Sequence, residues 1–453
     1  MHKKSIVHIL TKSRMQTEEF LTEIEALSDL TLKYWIKNIF FYKWDLINNR
    51  SLLKKLDKFH VVFRNYSNKS DLKNQVIEIS KEFEIIYITT ILELQVNTVN
   101  ELKKELGHPL SDDPNIFRNK FLQRDLIQKH NKELWIKFIK WTPETLDLKL
   151  IEKKVGYPFM LKPVDWVQSS WVAKINNKDD FQKYLDEYKD FHDRLQARWV
   201  DNKELIVEEF IDGNIYSIDY FVSIWWEIHI SKPVKVRLGI DVWVNDYCNI
   251  ARIQTEKTEL EFKWKRLKAF ISSTVLATGI RNTFVHHEFK INSKWELKTI
   301  ELNGRIWWGR LELIKRAYDF NLYELLIWPA SKPLKLKENN IAVNIYASSR
   351  GILKSINHDI FSEIKSRQSV FDVKFDESYI WKEVWLTKDW FIKMWVIKLK
   401  NTNYPVLSDD FTYIKSIYRD LLIVEELEKQ DIEKEESKIL KVISKVKKVF
   451  KNN

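Results

Sequence analysis

Cysteine and glycine are what this sequence has least of: one Cys, at position 248, and eight Gly in 453 residues. A lone cysteine excludes an internal disulfide framework and a cysteine-built metal cluster, and it fits a reducing, cytoplasmic compartment. No apolar stretch approaches the roughly 20 residues of a membrane span. The two lysines near the N-terminus are not followed by a sustained apolar run beyond Leu10, so no secretory leader is expected. Charge of one sign is not concentrated either. The formal net charge is +11, which would attract an anionic partner, but the lysines are spread and interleaved with glutamates. They read as solvated faces, and no nucleic-acid-binding module is recognisable. The glycine shortage is harder to accommodate. At a usual share near 7 %, a chain of this length holds roughly thirty glycines. This one has eight, together with 19 tryptophans.

What is present is an ordinary globular composition, 44 % apolar and 31 % charged, in a chain long enough for roughly two to four subdomains. Residues 5–10, 60–64 and 85–89 read as short buried strands. Helical patterns at 18–27 and 70–82 separate them, as in a small parallel α/β domain. No phosphate-cradling glycine motif follows the first strand, so no dinucleotide site is expected there. Residues 92–106 read as a helix ended by Gly107. Ser111-Asp112-Asp113-Pro114 then carries the start signals of another, bearing Arg118, Asn119, Lys120 and Arg124. Residues 155–175 read as strand, turn-rich loop and strand. The run LIVEEFIDG at 205–213 is an apolar strand leading into Glu208, Glu209, Phe210 and Ile211. After Pro333, the stretches ILKSINHDIF, YIWKEVWL and WFIKMWVIKLK are strand-like, 409–427 is helical, and 431–453 is a charged helix.

The most informative stretch is 284–310, FVHHEFKINSKWELKTIELNGRIWWGR. Residues 284–291 and 296–302 read as two strands joined by a short turn, hence a hairpin. Glu288 lies on the first strand. Glu301 and Asn303 lie two apart at the end of the second and so point to one side. Two carboxylates and an amide oxygen meeting across a hairpin form a hard-oxygen site suited to Mg²⁺ and a nucleotide's phosphates. Arg305 and Arg310 follow at once and could neutralise a phosphoryl group or a substrate carboxylate. A single strand glutamate is as well a solvated surface charge; Glu288 followed by Glu-x-Asn-x-Arg is the more specific pattern.

That pattern resembles the metal-binding hairpin of ATP-grasp enzymes, in particular the branch that joins a carboxylate to an amine, the L-amino-acid ligase type. The resemblance implies an α/β chain, α+β in its core: a Rossmann-like pre-ATP-grasp domain at 1–115, an ATP-grasp domain at 116–332 with a lid at about 155–212, and a β-rich C-terminal α+β domain at 333–453. It implies ATP, with adenine held by the backbone of Glu209 and Ile211 and with Glu208 and Phe210 beside it. Phosphates would meet Lys120, Lys162, Ser169 and Ser170 under a loop at 165–171. Mg²⁺, two ions in the family pattern, would be held by Glu288, Glu301 and Asn303. Arg305 and Lys162 would assist transfer through an acyl phosphate. Asn119 stands where the family has aspartate. The partners implied are a small-molecule carboxylate and an amine, with no nucleic acid and no membrane span, and with room for a homodimer. His286, two before Glu288, is as readily a structural histidine as a catalytic one.

Three function classes follow: an ATP-dependent ligase, a nucleotide-binding protein that no longer catalyses, and an aromatic-rich binder using tryptophan platforms. The tryptophans bear on the choice. Trp295 and Trp390 occupy hairpin turns that usually take glycine. Trp135 follows a helix where a glycine cap belongs. Trp166 and Trp171 flank the expected phosphate loop, and Trp307 and Trp308 precede Gly309. The expectation is that most of them stand for glycine.

Overall fold

The computed structural model describes residues 3–10, 18–42, 59–142, 147–164, 171–196, 204–244, 246–307, 309–327, 334–387 and 393–426. Ser169, Ser170, Trp166, Trp308, Trp390 and the charged segment 431–453 lie outside these residues. The chain divides into two units. One is Met1–Trp135 with Gly213–Lys235 and Gln254–Asn340. The other is Ile136–Asp212 with Val236–Ile253 and Ile341–Asn453.

The first unit begins with a four-stranded parallel sheet in the order Val61–Asn65, Lys37–Tyr42, Lys3–Leu10, Phe83–Thr89. Its central strands are apolar on both faces, as a parallel sheet covered on both sides requires. Val7, Ile9, Ile39 and Phe41 pack on one side with Leu72, Val76 and Ile79 of the helix Lys69–Glu82. Ile6, Leu10 and Phe40 pack on the other with Ile24, Leu27 and Leu30 of the helix Glu18–Tyr34. The strand Lys37–Tyr42 had no counterpart among the sequence expectations.

The same unit holds an antiparallel layer in which Thr283–Ile291 lies between Asn214–Val222 and Leu297–Asn303, with Ile228–Ile230 also on Asn214–Val222. Ile218, Tyr220, Val285, Phe289 and Leu302 form its apolar face, covered by Leu267, Phe270, Ile271 and Val275 of the helix Trp264–Thr278. Gly213 enters this layer at φ 81°, and a Cβ there would come within 2.0 Å of the Ile291 carbonyl oxygen. Only glycine fits so close a backbone approach.

The second unit contains a four-stranded antiparallel sheet, Phe138–Trp141, Leu205–Glu209, Phe159–Pro163, Ala173–Ile175. Phe159, Leu161, Leu205 and Val207 pack with Ile151 of the helix Leu148–Lys154 and Phe181 and Tyr184 of the helix Lys178–Gln196. Elsewhere in this unit Val370–Phe375 and Trp395–Asn401 pair antiparallel and bury Ile397 and Leu399 against Leu407 and Ile414 of the helix Tyr404–Ser416.

Three expectations for the C-terminal part change. The helix expected over 409–427 ends at Ser416, and Leu422–Glu426 is a strand on Gly351–Ile356. The strand-like stretch ILKSINHDIF turns helical at His358, where Asn357 caps His358–Ser366. The strand of YIWKEVWL is confined to Glu383–Val384. Trp135 is not a helix cap. The helix Lys120–His130 is closed by Asn131, and the Trp135 N–H donates to the Lys132 carbonyl (3.3 Å) in the turn after it.

Candidate functional site

In the first unit, strand register gathers the acidic residues of the hairpin. Glu288 sits opposite Glu301 and His286 opposite Asn303; on the other side Asp219 sits opposite His286 and Ser217 opposite Glu288. Alternation puts all six on one face of the three strands. Two glutamates directly across a strand pair repel one another, so this face requires cations. Lys120 supplies one, its Nζ 3.0 Å from the Glu301 carboxylate. The helix that begins with Lys120 is tied to the hairpin. Gln123 donates to the Leu302 carbonyl (2.8 Å) and accepts from the Leu302 N–H (3.0 Å), and Arg124 donates to the Ile300 carbonyl (2.6 Å). Asn119 caps that helix, its side chain accepting from the Leu122 N–H (2.9 Å). Asparagine and aspartate are equivalent as caps, which gives Asn119 a structural reason for standing in place of aspartate.

The donor set suits a hard cation. Asn303 is buried, and its Oδ1 accepts no hydrogen bond among the described residues. An orphaned acceptor beside two facing carboxylates is a place for a metal to repay desolvation. Among the described residues no group of three or more His, Cys, Asp or Glu side chains could by itself hold a metal. With two carboxylates and an amide, an ion here would complete its coordination with phosphate oxygens and water.

The same face carries a buried network that includes Arg310. Arg310, 1 % exposed, donates to the Ser217 hydroxyl and has its Nε 3.5 Å from Asp219. His286 Nδ1 lies 3.0 Å from Asp219 and its Nε2 lies 3.6 Å from Glu288. Burial pushes the Arg310 guanidinium down from its ordinary value, and the Asp219 and Glu288 carboxylates oppose that. His286 therefore links two acids, and Arg310 supports the face from within rather than standing free for a substrate.

Arg305 is also paired. Its Nη2 lies 3.0 Å from Glu93 Oε2, while Arg118 Nη1 lies 2.9 Å from Glu93 Oε1. Glu93 opens the short turn Glu93–Gln95 beyond the parallel sheet. The Arg305 Nε is buried and has no hydrogen-bond partner among the described residues. The sequence did not indicate Asp219 and Ser217 on this face, nor Glu93 on the turn that meets Arg305.

In the second unit, Lys162 and Glu208 lie on the sheet face opposite its apolar core and form a buried pair, Nζ to Oε2 2.6 Å. Glu209 is bound to the segment before the sheet: its carboxylate accepts from the Lys137 N–H (2.8 Å) and its own N–H donates to the Lys137 carbonyl (2.9 Å). The Phe210 N–H donates to the Pro158 carbonyl (3.2 Å), and Lys174 lies 4.1 Å from the Phe210 ring centre. Ile211 follows, half-buried.

Residues 155–310 match the family described as the ATP-grasp domain. No curated protein matches the chain. Among solved structures it is similar to an L-amino acid ligase from Bacillus licheniformis, with 17 % identity, a TM-score of 0.66, and 94 % of this chain and 100 % of that one covered. It is also similar to an N5-carboxyaminoimidazole synthetase from Staphylococcus aureus complexed with ADP, with 13 % identity, a TM-score of 0.61, and coverage of 92 % and 99 %. A third is the biotin carboxylase domain dimer of Hydrogenobacter thermophilus 2-oxoglutarate carboxylase in complex with MgADP, with 12 % identity, a TM-score of 0.58, and coverage of 94 % and 92 %. At these identities the likeness establishes the fold, which is that of the ATP-grasp proteins.

Proposed function

We propose that this ATP-grasp chain is an ATP-dependent carboxylate–amine ligase. The observation that carries the proposal is the register that sets Glu288 against Glu301 beside the unsatisfied Asn303 oxygen. In the proposed reaction a substrate carboxylate attacks the γ-phosphate and ADP leaves. An amine then displaces phosphate from the acyl phosphate, giving an amide. Magnesium, two ions in the family pattern, would be held by Glu288, Glu301 and Asn303 and would neutralise phosphate charge. Lys120 would exchange its partner Glu301 for a phosphate oxygen, freeing that carboxylate for the metal. Lys162, beside Glu208, would hold phosphate as well, with Ser169 and Ser170 as further donors. The Glu209 carbonyl and the Ile211 N–H would take the adenine. Arg305, aimed by Glu93, would orient the substrate carboxylate or the phosphoryl group in transfer. Amino acids are the proposed substrates, as in the similar amino acid ligase.

The test is ADP release measured over pairs of amino acids with Mg²⁺, against the same reactions with the metal chelated. Release that needs both a particular pair and the metal is the expected result. ATP binding with no release from any pair would favour a nucleotide-binding protein without catalysis. No ATP binding by the protein isolated from its own source would remove both readings.

A further inference from the structure

Six of the tryptophans sit where residues other than glycine rarely go. Among the described residues eight non-glycine positions have positive φ, and six of them are tryptophan: Trp35 (59°), Trp171 (55°), Trp226 (67°), Trp243 (60°), Trp295 (64°) and Trp381 (67°). The other two are Asn282 and Asp319, the residue types that tolerate this region through their short polar side chains. A bulky aromatic side chain has no such excuse, because its Cβ crowds the following carbonyl. Five of the eight glycines, Gly107, Gly156, Gly213, Gly279 and Gly309, share the same region. These six tryptophans thus follow the backbone behaviour of the glycines.

The local structures ask for glycine. In one hairpin the Ser223 N–H donates to Glu227 (2.8 Å) and the Trp226 N–H to Ser223 (3.2 Å); in another the Asn292 N–H donates to Glu296 (3.1 Å) and the Trp295 N–H to Asn292 (2.9 Å). Both are three-residue loops, a turn closed by one left-handed residue, a place glycine fills. Trp35 ends the helix Glu18–Tyr34, its N–H on the Thr31 carbonyl (3.0 Å). Trp243 caps the turn Gly239–Val242 at φ 60°, ψ 22°. Gly279 caps the helix Trp264–Thr278 at φ 62°, ψ 21°. The two caps have the same geometry, and glycine is the usual residue there.

Four of the six side chains gain little in return, whereas Trp171 is buried in an apolar core. Trp35, Trp243, Trp295 and Trp381 are 87 %, 72 %, 65 % and 68 % exposed, although a tryptophan's contribution comes from burying its large ring. Trp141 and Trp395 are buried, and among the described residues their indole N–H groups have no hydrogen-bond partner. A buried indole normally finds one.

We propose that the protein in its own cell carries glycine at positions 35, 171, 226, 243, 295 and 381, and at most of the other tryptophan positions. One cause accounts for all of them. Some bacterial lineages read the UGA codon as glycine, and a translation table that reads UGA as tryptophan writes Trp at every such codon. Restoring them brings the glycine content close to the roughly thirty expected of this length. It also restores glycine at 166 and 171, on either side of the expected phosphate loop, and at 307 and 308 before Gly309. Backbone N–H groups approach phosphate closely where no side chain stands in the way.

Two measurements decide it, neither of which depends on what the protein does. Peptide mass spectrometry of the protein isolated from its own source is expected to find the mass of glycine at 35, 226, 243, 295 and 381; the mass of tryptophan there overturns the proposal. In the second, the literal chain is compared with one set carrying Trp→Gly at the six positive-φ positions and another carrying Trp→Ala. The Gly set is expected to have the higher thermal midpoint of the two, because only glycine relieves the left-handed backbone. An Ala set equal to or above the Gly set overturns the backbone argument, since indole bulk alone would then explain the gain. The Gly-against-Ala comparison stands even if the literal chain does not fold.

Discussion

Glu288 and Glu301 face one another, and a cation between them removes their repulsion. Glu288→Ala or Glu301→Ala is expected to abolish ATP turnover while the far-ultraviolet circular dichroism stays that of the parent, because a site with two carboxylates cannot lose one. Turnover near the parent's at ordinary Mg²⁺ in either variant would remove the metal assignment. The two lysines differ in kind. Lys120 is the first residue of a helix and answers to Glu301, while Lys162 is buried on a strand beside Glu208. Lys162→Ala is expected to weaken ATP binding more than Lys120→Ala, by about 1.5–3 kcal/mol for a charge-assisted contact, read by calorimetric titration. Since Lys162→Ala also strands the buried Glu208 carboxylate, Lys162→Ala with Glu208→Gln serves as the control for folding. An ATP affinity that Lys162→Ala leaves unchanged would dismiss its phosphate role.

Among the elements, the helix Lys120–His130 matters most, because it carries Lys120 and clamps the second hairpin strand. Its start rests on one cap. Asn119→Ala is expected to lower stability by about 1 kcal/mol, and Asn119→Asp to keep it, as caps behave generally; urea denaturation midpoints read both. Equal losses from the two would show that the cap is not what holds the helix start. The elements also show where local sequence stops informing. The pentapeptide LIVEE occurs twice, at Leu205–Glu209 and at Leu422–Glu426, and both copies are strands. The first is flanked by strands on both sides and buried along most of its length, and the sequence reads it correctly. The second is mostly exposed at the edge of a three-stranded sheet, and the sequence reads it as the tail of a helix. Its strand partner, Gly351–Ile356, lies far away along the chain. Strand formation is set by such partners more than by intrinsic preference.

For the whole molecule the informative groups are the buried titratable ones. Burial pushes the Glu23 carboxyl up to about 7, opposed by a hydrogen bond from Tyr323. Glu23 therefore keeps its proton in the folded chain at pH values where the unfolded chain has lost it. Its contribution is complete below the unfolded value near 4.5 and is lost as pH rises to about 7, a change on the order of 3 kcal/mol at 1.36 kcal/mol per unit. His8 and His287 act in the opposite sense. Burial lowers them to about 4 and about 3, so their contribution is present above the ordinary histidine value and is lost as pH falls. Glu23→Gln removes only the first dependence. Its stability relative to the parent is expected to be greater at pH 8 than at pH 5, measured by urea denaturation at each pH; an equal difference at both would refute the assignment.

What depends on neighbours along the chain is legible in the chain alone. The alternation through 284–291 and the two-residue spacing of Glu301 and Asn303 place side chains on a face without reference to anything distant, and the turn at 292–295 follows from the same short stretch. The glycine-type demand at Trp295 was legible for that reason too. The tertiary structure decided who answers those side chains. Asp219 meets His286 across 67 positions and Glu93 meets Arg305 across 212. Neither pairing has a local signal, because an ion pair records only where two strands or turns come to rest. The same applies to the strand Leu422–Glu426, which exists because Gly351–Ile356 is there to receive its hydrogen bonds. Periodicity is a property of the chain, whereas pairing is a property of the packed molecule.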